Sequence, residues 1–296
     1  MPELPEVALY IHALEPLILG APLERVRMRS ASLLKTFDPP IEEAEGRRVT
    51  ELRNIGKRIL WGLEGDLFLV FHLMIAGRFR WRDPGVALPK KRGHAAFDFP
   101  SGTLLLTEAG TQKRASLHLV RGAAALEGFD RGGIDPLAAE FSEFRRAILQ
   151  QNRTLKRALT DQRIVAGIGN AHSDEILFDA RLSPVRRTRQ LSEEELARLY
   201  EATRASLAWW IDRLREEGGK DFPEKVTAFH PAMKVHGKYG QPCPVCGSSI
   251  QRIVYAANET NYCARCQTGG KLLRDRSLSR LLRDDWPETL EELEGA

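Results

Sequence analysis

All four cysteines of this 296-residue chain lie within 24 positions near its C-terminal end, in "CPVCGSSIQRIVYAANETNYCARC". The spacing is Cys243-x2-Cys246-x16-Cys263-x2-Cys266. A disulfide scaffold would spread its cysteines along the chain, so this clustering argues for a reducing compartment and for a metal. Two C-x-x-C pairs can bring four thiolates to one tetrahedral ion, which suits zinc. Redox thiols or an iron–sulfur cluster would use the same residue types. The β-prone "IQRIVYA" and "TNYC" between the pairs read as one hairpin hung from the metal. Such ribbons serve DNA, RNA and protein partners alike, so function has to be read elsewhere.

The rest of the chain is long enough for sizeable cores, with 43% hydrophobic residues and 28% charged. No apolar run approaches a membrane span; the longest, "LFLVFHLMIAG", contains His72. The start carries no basic n-region before an apolar run, so it is not a signal peptide. Net charge is only +4, but Pro231 to Trp286 holds nine Lys/Arg against four Asp/Glu. That local excess fits a polyanion footprint.

Helical spacing of Val7, Tyr10, Ile11, Leu14 and Ile18 predicts a first helix, with Pro5 as its first residue and Gly20 at its end. Short β segments follow from Arg25 to about Val120, separated by turn signals such as "EGD" and "PSG", and read as a sandwich or barrel. From about residue 135 the pattern turns helical, in "DPLAAEFSEFRRAILQ", "TLKRALTDQ", "NAHSDEILFDARL" and "SEEELARLYEATRASLAWWIDRLREEGG". "GGKDFPEKVTAFHPAM" reads as a loop before the cysteine unit.

Two stretches carry chemistry. In "LTDQRIVAGIGNAHSDEILF", Gly167, Gly169 and Asn170 separate two helical patterns, with Lys156 and Arg157 just before. This is an ordinary tight turn, or a turn whose helix start meets a phosphate. The opening "MPELPEV" is either a helix entry with acidic first-turn residues or a reactive terminus. Removal of Met1 would make Pro2 a terminal secondary amine, part of it uncharged near neutral pH because α-amino pKa values are roughly 7.7–8.0. Attack on an aldehyde-level carbon then gives an iminium ion, an electron sink. Glu3 and Glu6 stand beside it as acid/base groups.

"MPELPEV", "GIGNAHSDEILF" and "HGKYGQPCPVCG…NYCARCQ", in this order, resemble the formamidopyrimidine-DNA glycosylase / endonuclease VIII family of base-excision repair enzymes. The resemblance covers residues 1 to about 268. It implies an α+β multidomain fold: an N-terminal β-sandwich with its helix (1–130), a helix-two-turn-helix domain (131–225), and a four-cysteine zinc finger with a C-terminal extension (226–296). It implies one structural zinc on Cys243, Cys246, Cys263 and Cys266, and damaged or abasic DNA as the partner of a monomer. The protein would be cytoplasmic and associated with the nucleoid. By resemblance, Pro2 is the nucleophile at the sugar C1′, Glu3 the acid/base residue and Glu6 a supporting one. Lys57, in "NIGKRIL", is the hairpin lysine that contacts phosphate and assists elimination. Lys156 and Asn170 match phosphate-binding positions.

The chain departs from the family pattern in several places. Asn258 stands where the finger usually has an arginine, which puts the second (δ) elimination in doubt, since asparagine supplies no fixed charge. The usual Asp-Pro-Arg-Arg-Phe-Gly loop aligns with "GTQKRA", residues 110–115, where Gln112 and Arg114 replace the void-filling residues and Lys113 keeps a phosphate-contacting charge. Ile75 replaces the intercalating methionine, with Met74 adjacent. Preference for oxidised purines is therefore not carried over. "SLSRLLRDDW" has amphipathic helix character and either packs on the finger or adds basic contacts to DNA. The expected activity is a bifunctional DNA glycosylase and abasic-site lyase. The alternatives are a catalytically reduced damaged-DNA-binding protein of the same fold and a zinc-ribbon RNA-binding protein.

Overall fold

The computed structural model describes residues 1–110, 112–219, 221–255, 258–274 and 287–294. Two compact units emerge: Met1–Arg131 with Trp210–Ala228, and Gly132–Trp209 with Phe229–Ala296. The segment "SLSRLLRDDW" lies outside the described residues.

The first unit opens with helix α1, Leu4–Ile18. It starts one residue before Pro5 because Glu3 caps it: the Glu3 side chain accepts from the N3 amide, and Glu6 reaches back to the Glu3 amide. Leu19 leaves the helix in extended backbone, and Gly20 turns the chain at φ 77°. Eight strands follow: β1 (Arg25–Met28), β2 (Val49–Ile55), β3 (Arg58–Leu63), β4 (Leu67–His72), β5 (Gly77–Arg82), β6 (Gly93–Phe99), β7 (Gly102–Glu108) and β8 (Ser116–Arg121). They form two antiparallel four-stranded sheets, ordered β1-β6-β7-β5 and β2-β3-β4-β8. The "EGD" signal is realised as the three-residue hairpin connection between Leu63 and Leu67, with positive φ at Gly65 and Asp66.

Aromatic side chains from alternate strand positions fill the space between the sheets. Trp61 and Phe71 of one sheet meet Phe79 and Phe97 of the other, with ring centroids 5.2–6.4 Å apart. α1 is fastened to β5 by Tyr10: its ring lies 5.4 Å from that of Phe79, and its hydroxyl accepts the Phe79 amide at 3.3 Å. This sandwich is the fold the sequence pattern predicts.

The second unit carries α2 (Phe141–Leu149), α3 (Leu155–Thr160), α4 (Asn170–Asp179) and most of α5 (Glu193–Gly218), then the hairpin β9 (Ile250–Tyr255) and β10 (Asn258–Cys263) and the short α6 (Ala264–Thr268). α2 is shorter than its periodicity suggests. The Asp135 carboxylate takes the Leu137 amide in a local turn, and the helix begins only at Phe141, after a capping box between Glu140 and Glu143. Ser192 and Glu195 cap α5 in the same reciprocal way. Among the described residues, no helix is long and apolar enough to cross a membrane.

Candidate functional site

At the start of the first unit, Pro2 is buried, and Glu3 and Glu6 are only 3% and 1% exposed. Buried carboxylates are costly unless they are held. The Glu6 carboxylate accepts the Glu3 amide at 2.8 Å, and the Glu3 carboxylate caps α1. Burial lowers the pKa of the terminal amine, here that of Met1; Arg78 and Lys57 push the same way, and Glu3 and Glu6 oppose them. The amine, both glutamates and two cations therefore share one electrostatic neighbourhood. Lys57 comes from the turn between β2 and β3, where Gly56 has φ 56°. His72 closes β4. Burial, then the charges of Arg58 and Lys57, pushes its imidazole down to about 4, so it is neutral near pH 7.

Two loops of the same unit carry the departures from the family pattern. Ile75 is 59% exposed at the tip of the β4–β5 turn, next to Met74 at φ 54°. In the β7–β8 loop, Gln112, Lys113 and Arg114 are exposed. The Lys113 ammonium donates to the Glu108 carbonyl at 2.5 Å, and the Arg114 guanidinium bonds the Gln112 side chain. Beneath the loop, the buried Glu108 carboxylate takes the Arg114 amide at 3.0 Å and the Ala115 amide at 3.3 Å, and lies 3.2 Å from His94.

In the second unit, Lys156 and Asn170 do come together. The Lys156 ammonium donates to the Asn170 carbonyl and to the Asp174 carboxylate, both at 2.5 Å. The Asn170 side-chain amide donates to the Glu259 carbonyl at 2.9 Å. The side chain of Asn258 lies outside the described residues. Pattern reading missed the group that organises this region. Asp174 also bonds His236 Nδ1 at 2.7 Å and the Asn261 amide at 3.1 Å, while Glu175 accepts the amides of Lys234, Val235 and His236 at 2.8–3.0 Å. The available signal was the adjacent pair "DE" inside a helix whose residues from Ala171 to Phe178 are all buried. Two neighbouring carboxylates can lie there only if other segments bring donors to them.

The four cysteines converge in that unit, with all Sγ atoms within 4.8 Å of one another and no disulfide. Cys243 and Cys266 sulfurs are 3.9 Å apart, and those of Cys246 and Cys263 3.4 Å. A tetrahedral zinc with Zn–S bonds of about 2.3 Å needs sulfurs roughly 3.8 Å apart, so the cluster fits the ion. The amides of Val245 and Cys266 already point at Cys243 and Cys263 sulfurs, each at 3.5 Å. Burial pushes the Cys263 thiol up, and the Cys266 thiol up to about 11, so holding these groups as thiolates calls for a compensating dication.

Comparison with known proteins agrees with this reading along the chain. Residues 1–113 match the formamidopyrimidine-DNA glycosylase N-terminal domain, 133–215 the formamidopyrimidine-DNA glycosylase H2TH domain, and 240–269 the zinc finger found in FPG and IleRS. The formamidopyrimidine-DNA glycosylase of Thermus thermophilus is 36% identical over 287 residues, spanning 91% of this chain and all of that protein. That of Heliobacterium modesticaldum is 35% identical over 281 residues, spanning 90% of this chain and all of that one. The crystal structure of the Thermus protein superposes with a TM-score of 0.76 over 90% of this chain and 98% of its own. The Lactococcus lactis enzyme in complex with abasic-site DNA does so at 0.79 and 25% identity, over 90% and 99%.

The fold and site define a DNA-repair glycosylase architecture with one structural zinc on Cys243, Cys246, Cys263 and Cys266. The chain belongs to the formamidopyrimidine-DNA glycosylase family.

Proposed function

We propose that this chain excises damaged bases from DNA and nicks the resulting abasic site, with Pro2 as nucleophile once Met1 has been removed. The observation that carries this reading is the burial of Pro2, Glu3 and Glu6 together at the amino terminus, with the Glu6 carboxylate on the Glu3 amide. The target nucleotide leaves the stack, because its C1′ is out of reach within a duplex. The amine attacks C1′ as the base departs, and Glu3 moves the protons that base loss and sugar ring opening require. Glu6 supports Glu3 through the bond to its amide. Loss of the C2′ proton from the iminium then expels the 3′ phosphate with its bonding pair, giving one β-elimination. Lys57 neutralises phosphate beside this step.

Damaged or abasic DNA is the proposed partner, in keeping with the Lactococcus lactis complexes with Fapy-dG and abasic-site DNA. Lys113, Lys156, Asn170 and Asn258 are the proposed DNA contacts. Lys113 offers an exposed charge, whereas Lys156 is fixed in advance by Asp174. Residues 1–130, 131–225 and 226–296 would serve as catalytic, DNA-binding and finger domains of a monomer in the cytoplasm. Zinc orders the finger and takes part in no step. With Asn258 in the finger and Gln112 and Arg114 in the β7–β8 loop, neither δ-elimination nor oxidised-purine specificity is part of the proposal.

The test is sodium borohydride trapping on an abasic-site duplex. A covalent protein–DNA band is expected for the wild type, strongly reduced in Pro2→Gly while DNA binding survives. Unchanged nicking by Pro2→Gly would remove Pro2 from the mechanism. Absence of any band from wild type with Met1 removed would favour the second reading, a catalytically reduced damaged-DNA binder, which the altered β7–β8 loop already suits.

A further inference from the structure

Arg78 is a cation that the proposed chemistry leaves without a task. It is the second residue of β5, directly after the turn that begins at Leu73. That turn is closed by a backbone bond at a position that only glycine fits. The Gly77 amide bonds the Leu73 carbonyl at 2.9 Å, Met74 sits at φ 54°, and a Cβ on Gly77 would lie 2.3 Å from the Leu73 carbonyl oxygen. Arg78 Nη1 is held by the carbonyls of Ile75 at 3.1 Å and Gly77 at 2.6 Å. No ion pair joins Arg78 to a carboxylate among the described residues. Its strand neighbours differ: Arg80 and Arg82 both pair with Glu224, at 3.1 and 2.5 Å. Tyr10, bonded to Phe79, fastens α1 to the strand at the adjacent residue, and the Arg78 charge is felt at the amino terminus.

A half-buried guanidinium fixed on one nitrogen keeps its remaining donors for an anion. Its charge acts on the terminal amine together with those of Glu3, Glu6 and Lys57. The anion that must come to this place is a phosphate next to the sugar under attack. Resting on the function proposed above, we infer that Arg78 binds a DNA phosphate flanking the attacked sugar and so positions C1′ at the amino-terminal nucleophile. The cation belongs to the sandwich itself, so this grip is independent of the finger that carries Asn258.

The test measures binding to a duplex with a tetrahydrofuran abasic analogue, which cannot form an iminium, for wild type, Arg78→Ala and Arg78→Lys across a salt series. Arg78→Ala should bind roughly tenfold more weakly at low salt, because a charge-assisted contact is lost. Its slope of log affinity against log salt should be shallower by about 0.9, one phosphate's worth. Arg78→Lys should keep the slope. Thermal melts of all three verify folding. A neutral methylphosphonate placed 3′ or 5′ of the analogue should abolish the difference between wild type and Arg78→Ala on one side, which identifies the phosphate. Equal slopes for wild type and Arg78→Ala overturn the inference, as does a difference that survives both methylphosphonates. If borohydride trapping fails while these slopes behave as expected, the iminium reading falls and the Arg78 site stands. If wild type does not bind the duplex, both fall.

Discussion

The two units place pairs of acidic residues in their helices by opposite means. Glu3 and Glu6 lie within one turn of α1 and are bonded across three residues, at the open end of the chain. Asp174 and Glu175 lie in the middle of α4, and their donors come from 18 to 87 residues away in Lys156, Lys234, Val235, His236 and Asn261. The bond that joins the first pair is made within its own helix start. The second is saturated by the rest of its unit, so it gives shape to that unit and has little capacity left to move protons. Burial alone therefore does not mark a reactive carboxylate.

Experiments on each unit test this difference. The largest effect should follow zinc removal, since zinc-finger metal binding carries about 10–16 kcal/mol. Stripping the ion with a strong chelator should unfold the β9–β10 hairpin and weaken DNA binding. The aromatic near-UV signal of Trp61, Phe71, Phe79 and Phe97 should change little. Full DNA affinity in the metal-free protein would contradict the division.

Glu3→Gln comes next. Base excision should slow by roughly 10²–10⁴, the usual worth of a positioned acid/base group. Stability should move by no more than about 1 kcal/mol, because an amide can still cap α1. Single-turnover kinetics and urea unfolding on the same sample separate the two quantities. Asp174→Ala should give the reverse pattern. It strands Lys156 and His236 without their buried partner, at about 3–5 kcal/mol. Borohydride trapping per folded molecule at saturating DNA should stay near the wild-type level. A trapping defect with unchanged stability would cancel the distinction between the units.

The smallest effect is a pH dependence within the first unit. The folded His72 imidazole titrates at about 4 against 6.5 in an unfolded chain. Between those values the unfolded state binds the extra proton, so stability falls as pH drops through the window. Comparing urea midpoints of wild type and His72→Gln at pH 7 and pH 4.5 isolates this residue. The variant should lose less on acidification.

The same contrast explains what could be read from sequence. α1, the strands and the cysteine ribbon announce themselves through short-range signals: helical spacing of Val7, Tyr10, Leu14 and Ile18, glycine-marked turns, and two C-x-x-C pairs. The Glu3–Glu6 cap is equally local. Asp174 gave no comparable sign, because nothing within a few residues of it shows that His236 and Asn261 will arrive. Lys156 could be singled out as a phosphate ligand, but not as half of an ion pair. Arg78 was passed over because alternating arginines in "GRFRWR" look alike along the strand, and only Glu224, 142 and more residues downstream, tells two of them from the third. Asp135 shortened a helix that periodicity extended, since one side-chain bond to Leu137 outweighed a weak local preference.

The buried position of Pro2 has a consequence for how the protein comes into service. As long as any residue precedes it, its nitrogen is an amide whose lone pair is delocalised into the carbonyl, and it cannot add to a sugar. The fold and the four-cysteine cluster both form with Met1 in place. On the proposed mechanism, removal of Met1 is then an irreversible commissioning event, one per polypeptide. By the same mechanism, a preparation bearing a leftover leader of even a single residue would sit on lesions without turning over, a competitor to its own processed copies.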